Sequence, residues 1–129
     1  MIPGRVRILP GMDDQPPQLL IFVRDLMFSS KVVATARAEG VSFKVVRDIS
    51  RLQDQSAGRL VVDLNADGML DAAIAWKARH NGRVIGFASH TAAELLALAK
   101  AGGIDQVMTN GAFTIRLPEI VREAAATGE

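Results

Sequence analysis

The feature that most constrains this chain is a set of short, unbroken apolar runs, each followed by residues at helical spacing. LLIFV at 19–23, RLVV at 59–62 and RVIGFA at 83–88 are the clearest. A strand with one wet face alternates apolar and polar residues, whereas a run apolar throughout belongs to a strand covered on both faces. Shorter runs at 43–46 and 106–108 complete five strands. Helical patterns at 28–39, 49–55, 70–79 and 92–101 separate them, and Leu117, Ile120, Val121 and Ala124 line one face of a last helix. Strands that alternate with helices imply crossover connections and a parallel sheet. The expected fold is therefore a doubly wound, three-layer α/β sandwich of five parallel strands.

The punctuation agrees with this division. Gly40 stops the first helix, Asn81-Gly82 the third and Gly102-Gly103 the fourth. Ser29-Ser30 reads as the opening of the first helix, and Thr91 with Glu94 as a capping box for the fourth. Pro118 is expected in the first turn of the last helix, where its missing N–H costs little. Residues 1–18 hold every proline except Pro118 and end in Pro16-Pro17-Gln18, the mark of a flexible arm before a domain spanning 19–126. An edge strand over Val6 to Leu9 is not expected.

Composition removes several function classes. The chain of 129 residues has no cysteine, which excludes disulfides, thiolate metal sites and cysteine nucleophiles. A net charge of +1 gives no electrostatic case for nucleic acid or a membrane surface. Phe and one Trp are the sole aromatics, so no stacking platform for single strands is expected. No apolar run approaches the ~20 residues needed to span a bilayer. The start has no signal-peptide core, and a cytoplasmic location is expected. His80 and His90 have no partner at metal-ligand spacing.

The segment Leu60-Val-Val-Asp63-Leu-Asn65-Ala-Asp67-Gly68, together with Ala101-Gly-Gly-Ile-Asp105-Gln, resembles a response-regulator receiver domain. The likeness covers roughly 19–125. It implies the flavodoxin-like strand order 2-1-3-4-5, with a site where the carboxyl ends of strands one and three meet. It also implies that Asp63 stands at the phosphoacceptor position and Asn65 at the residue whose backbone carbonyl meets Mg²⁺. The family further supplies an acidic pair after strand one, a Ser or Thr ending strand four and a Lys after strand five. Here the pair is Arg24-Asp25, Ala88 stands at the strand-four position with Ser89 beside it, and Thr109-Asn110-Gly111 replaces the lysine. Phosphoryl transfer to a carboxylate needs a divalent cation and donors for the equatorial oxygens. With Asp25 and Asp63 as the only acids at the metal position, the pattern is that of a pseudo-receiver. Arg24 either stands close to Asp63, where a guanidinium could replace the charge of the metal, or points to solvent, since sequence gives no side-chain direction.

The expected function is thus a non-catalytic signalling domain of two-component type, with no cofactor, acting through protein contact. No output segment is identified, which agrees with action by contact. Receiver domains pair through the face of helix four, strand five and helix five. Ala93, Leu96 and Ala97 are expected to face outward there, with Leu95, Leu98 and Gly102 inward, so that a homodimer or another protein could dock. One alternative is a divergent regulator phosphorylated on Asp63 with Mg²⁺. Another is a small-ligand or calcium binder, because Asp63-x-Asn65-x-Asp67-Gly68-x-Leu70-Asp71 matches nine positions of an EF-hand loop. Against calcium, the twelfth position is Ile74 and a strand, not a helix, precedes the loop.

Overall fold

The computed structural model describes residues 16–126, the side chain of Ala126 excepted. Five strands alternate with five helices: β1 (Leu19–Phe22), α1 (Leu26–Ala38), β2 (Phe43–Val45), α2 (Ile49–Leu52), β3 (Arg59–Asp63), α3 (Met69–His80), β4 (Arg83–Ala88), α4 (Ala93–Ala101), β5 (Gln106–Thr109) and α5 (Asn110–Ala126). All strand pairs are parallel, and the sheet order is β2-β1-β3-β4-β5. The expected sandwich and strand order are therefore observed. Residues 1–15 of the expected arm, Val6 to Leu9 among them, lie outside the described residues. Gln18, the arm's last residue, is tied to the domain. Its N–H donates to Ser42 Oγ at 2.9 Å and its Oε1 accepts from Ser42 N at 2.9 Å.

Pleating sorts the apolar runs between two cores. Leu19, Ile21, Val61, Ile85 and Phe87 point to one face, where Val32 and Ala36 of α1 and Phe113, Leu117, Ile120 and Val121 of α5 cover them. Leu20, Phe22, Leu60, Val62 and Val84 point to the other face, under Leu52 of α2, Trp76 of α3 and Ala99 of α4. Both faces are dry, which is why the strands show no alternation in sequence.

Several local expectations are corrected. α1 begins at Leu26, because Asp25 caps it by accepting from Met27 N at 2.9 Å and Phe28 N at 3.2 Å. Ser29 is instead a buried helical residue. α2 ends at Leu52 rather than Gln55, since the following turn serves α3: Gln55 O accepts from Trp76 Nε1 at 2.7 Å. The Thr91-Glu94 capping box does not form. α4 starts at Ala93 with no side-chain cap, and Thr91 Oγ1 pairs with Ser89 Oγ at 2.9 Å. α5 starts at Asn110, so Pro118 lies well inside the helix, not in its first turn. There it removes the donor for the Thr114 carbonyl. The buried stripe Phe113, Leu117, Ile120, Val121 and Ala124 holds the helix across that gap.

At the amino edge of the sheet, Asp105 Oδ2 accepts from Val84 N at 2.7 Å and from Lys77 Nζ at 2.8 Å. Burial pushes the Asp105 carboxyl up, but these bonds and the Lys77 and Arg83 charges outweigh it and leave the group below its ordinary value. A carboxyl lowered by folding contributes stability that is present above its unfolded pKa and lost as pH falls through the folded one. Asp105→Asn should therefore cost about 1–2 kcal/mol near neutrality. The gap to the wild type should close as pH falls below about 4. Urea titrations at neutral and acid pH measure it; an undiminished gap in acid would remove ionisation as the cause.

Candidate site at the carboxyl edge of the sheet

The carboxyl ends of β1, β3 and β4 lie side by side, with Phe22 opposite Val62 and Asp63 opposite Phe87. Asp63 ends β3 and is only 4% exposed. A buried carboxylate must be hydrogen-bonded, and the chain supplies a partner two residues on. Asn65 N donates to Asp63 Oδ1 at 2.9 Å and Asn65 Nδ2 to the same oxygen at 2.7 Å. The other groups of the Asn65 amide reach two further loops. Ser89 N donates to Asn65 Oδ1 at 2.8 Å, and Asn65 Nδ2 lies 3.3 Å from Asn110 Oδ1. One amide thus joins the ends of β3, β4 and β5.

Of the residues singled out by sequence, the structure joins Asp63, Asn65 and Ser89 directly. Ala88, the last residue of β4, pairs with Thr109 of β5. Thr109 Oγ1 accepts from Ala112 N at 3.2 Å and so closes the start of α5. Asp25 makes no hydrogen bond to these three among the described residues, and its Oδ1 is committed to the first turn of α1. Arg24 is exposed and makes no ion pair with Asp63 among the described residues. Its charge bears instead on Asp48, the N-cap of α2. The Asp48 carboxyl is held below its ordinary value by the Ser50 hydroxyl and N–H first, with smaller help from Arg51 and Arg24. Asn110 was not singled out as a site residue. Its position as the first residue after β5 is the signal that could have marked it, since strand ends face the crevice in open α/β sheets.

The loop from Asp63 to Met69 follows a strand and opens α3 through Gly68. That glycine has φ +81°, and an added Cβ would stand 3.3 Å from Ile49 Cδ1. No group of three or more His, Asp or Glu suited to a metal ion occurs among the described residues. His80 is structural here: Nε2 lies 2.7 Å from Gln53 O.

Among the described residues, large apolar side chains are exposed at three places, one of them Ile49 at the start of α2. Leu26 and Met27, in the first turn of α1, are 66% and 72% exposed. Leu98 of α4 and Ile115 of α5 are 56% and 81% exposed, on the helices that flank β5. The phase expected for α4 is therefore corrected. Ala99 is the buried residue, Leu95 and Leu96 are both half-buried against the core, and Leu98 faces outward with Ala93 and Ala97. Gly102 keeps its expected side, since an added Cβ there would stand 2.7 Å from Ile74 Cδ1. No helix among the described residues is long and apolar enough to cross a membrane.

No protein-family model matches the sequence, and no curated protein matches it. Solved structures do match in fold. The receiver domain of NtrX from Brucella abortus superposes with a TM-score of 0.70 at 17% identity, over 84% of this chain and 98% of that one. A CheY-like receiver domain protein from Methanospirillum hungatei JF-1 gives 0.67 at 11% identity, over 88% and 100%. A Burkholderia pseudomallei response regulator with a phosphorylated aspartic acid, calcium ion and citrate gives 0.61 at 11%, over 86% and 74%. The five parallel strands in the order 2-1-3-4-5, with helices on both faces, are the CheY-like fold of response-regulator receiver domains.

Proposed function

We propose that this domain is a pseudo-receiver that signals by protein contact and does not carry a phosphoryl group on Asp63. The observation that supports it is the Asn65 amide, which engages one oxygen of Asp63 and the Ser89 N–H, two groups an incoming phosphoryl would use. Asp63 Oδ1 already accepts two hydrogen bonds, and the Ser89 N–H is already donated to Asn65 Oδ1. Mg²⁺ holds near-octahedral geometry and binds through one or two carboxylates with several waters. Here one carboxylate is buried beneath an amide, and the other caps a helix. That donor set does not fit the ion, and with neither metal nor lysine the transferring group lacks its electrostatic support.

The test is intact-mass measurement after incubation with acetyl phosphate and Mg²⁺. The expected result is no phosphoryl adduct. An adduct that disappears in Asp63→Asn would establish the phosphoacceptor reading instead.

Contact is assigned to the face of α4, β5 and α5, with a second copy of this chain as the simplest partner. Leu98 and Ile115 give this face exposed apolar area. Leu98→Glu should weaken self-association at least tenfold in sedimentation velocity, through burial of a charge without a partner. A wild type that stays monomeric at high concentration would rule out the homodimer.

A further inference from the structure

β2 is an outer strand of the sheet, and its far edge is open among the described residues. Leu19 N donates to Ser42 O at 3.1 Å and Val46 N to Ile21 O at 2.9 Å, so residues 42, 44 and 46 turn their backbone groups to β1. Backbone groups alternate in side along a strand, and those of Phe43 and Val45 therefore point to the open edge. The side chains of Phe43 and Val45 lie on the α1 face with Val33 and stay half-buried. Lys44 is exposed and points to the other face, the one α2 covers.

Charge is concentrated on the same side of the molecule. Residues 24–51 hold six cations against three acids, although the whole chain is only +1. Arg24, Lys31, Arg37, Lys44, Arg47 and Arg51 are all exposed, and none enters an ion pair among the described residues. The three acids are committed: Asp25 caps α1, Asp48 caps α2, and Glu39 pairs with Arg122 at 3.2 Å. The cations flank the strand. Arg37 lies 5.7 Å from the centre of the Phe43 ring, Arg24 and Arg51 both bear on Asp48, and Lys44 and Arg47 belong to β2 and its end.

We propose that the open edge of β2 takes up an extended acidic segment of a partner protein as an added strand, a reading that rests on the contact function above and gives it a second surface. The backbone selects a polypeptide, since a strand meets the N–H and C=O groups of Phe43 and Val45 together. Charge selects its side chains, because the unpaired cations along the edge complement carboxylates. The same charge disfavours a second copy of this chain, whose β2 would set lysine against lysine. The pleat sets the pattern of the segment. Side chains on the α1 face are apolar, against Phe43, Val45 and Val33, and those on the α2 face are acidic, toward Lys44.

Amide NMR and hydrogen exchange on the full chain, titrated with a capped six-residue peptide that alternates valine and glutamate, test this. The amides of Phe43 and Val45 should shift with a midpoint in the millimolar range or below. Their exchange should slow at least fivefold at saturation, while Lys44, whose N–H already faces β1, keeps its rate. Glutamine in place of glutamate should weaken the peptide at least tenfold, and so should N-methylation of its two central residues, which removes main-chain donors. Lys44→Glu, on an exposed side chain, should also lose at least tenfold for the acidic peptide. Absence of shifts at Phe43 and Val45, or equal binding of either control peptide, would overturn the proposal. Equally tight binding of a six-nucleotide thymidine strand at the same amides would do so too, by showing a site for any polyanion. The peptide comparisons need no variant, and they involve neither Asp63 nor a phosphoryl donor. Failure here is therefore distinguishable from failure of the pseudo-receiver reading.

Discussion

Trp76→Ala is expected to lower stability by about 3–5 kcal/mol, a large part of the 5–15 kcal/mol that holds a domain of this kind together. Trp76 is the largest fully buried side chain, and its ring fills the core between α3 and the sheet. Truncation would leave a cavity there and would also strip the Gln55 carbonyl of its 2.7 Å donor. Trp76→Phe is a milder change, because it keeps a six-membered aromatic ring in the core while losing the N–H and part of the indole volume. It should cost about 1–3 kcal/mol. Gly82 adds an internal check. A Cβ at Gly82 would stand 2.3 Å from Trp76 Cη2, so Gly82→Ala should cost about 1–3 kcal/mol by overpacking. In the Trp76→Ala background the ring clash is gone and only the 2.9 Å approach to the Ala57 carbonyl oxygen remains, so the two changes should be coupled by at least ~1 kcal/mol. Guanidinium titration followed by circular dichroism gives these values, since Trp76 is the only tryptophan and its fluorescence is lost. A cost below about 1 kcal/mol for Trp76→Ala would mean that α3 does not depend on this ring.

The layers were legible because burial on both faces leaves a direct trace. Only a fully covered strand can read Leu-Leu-Ile-Phe-Val without a polar break, and the spacing of such runs is set by the helices between them. Helix starts were less legible, because several residues can cap and the choice among them is tertiary. Asp25 and Ser29 are both good N-caps in isolation. Packing of Phe28 against Phe87, with ring centroids 5.1 Å apart, goes with the earlier start. α5 illustrates the same point. Asn110-Gly111 reads as a turn locally, yet Phe113 stacks on Phe87 at 4.1 Å, and the helix begins three residues before it. The phase of α4 was missed for a related reason. In Ala-Glu-Leu-Leu-Ala-Leu-Ala-Lys-Ala, leucine and alanine compete for the inward face. The small Ala99 goes in, where Leu98 was expected.

At the site, the sequence located the strand ends but not the directions of side chains. Asp63 and Asn65 are two residues apart, which allows an Asx-type turn onto the intervening backbone, and such a turn is local enough to anticipate. The reach of Asn65 to Ser89 and Asn110 is not local. It depends on three loops ending at one height, which only the β3–β4 and β4–β5 registers establish. Arg24 is the converse case, and its exposure decides between the two directions that the sequence leaves open. Adjacency to Asp25 in sequence made it a neighbour of Asp63 on paper. The β1–β2 pairing instead brings the ends of β1 and β2 together and puts Arg24 within electrostatic reach of Asp48.

That placement changes the part proposed for Arg24 in disfavouring a metal ion. As an exposed cation near the crevice, it opposes Mg²⁺ through long-range charge, with no ion pair to break. Arg24→Asp replaces +1 by −1 and restores the acidic pair that receiver domains carry after strand one. Mg²⁺ affinity should rise about tenfold, equivalent to about 1.4 kcal/mol. Arg24→Gln removes the cation alone and should give an intermediate gain. Because Arg24 is exposed, the effect should shrink as added salt brings the screening length below about 10 Å. A contact pair with Asp63 would resist screening, so the salt dependence distinguishes the two placements. Phosphorylation should remain absent in Arg24→Asp, because Asn65 still engages Asp63 Oδ1 and no lysine follows β5. Apo stability should fall slightly in the same variant, through repulsion among Asp25, Asp48 and the new carboxylate. Metal titration followed by Trp76 fluorescence or amide NMR, at low and high salt, provides the measurement. A wild type that binds Mg²⁺ as tightly as Arg24→Asp would show that Arg24 does not guard the crevice. A phosphoryl adduct on that wild type would then return Asp63 to service as an acceptor.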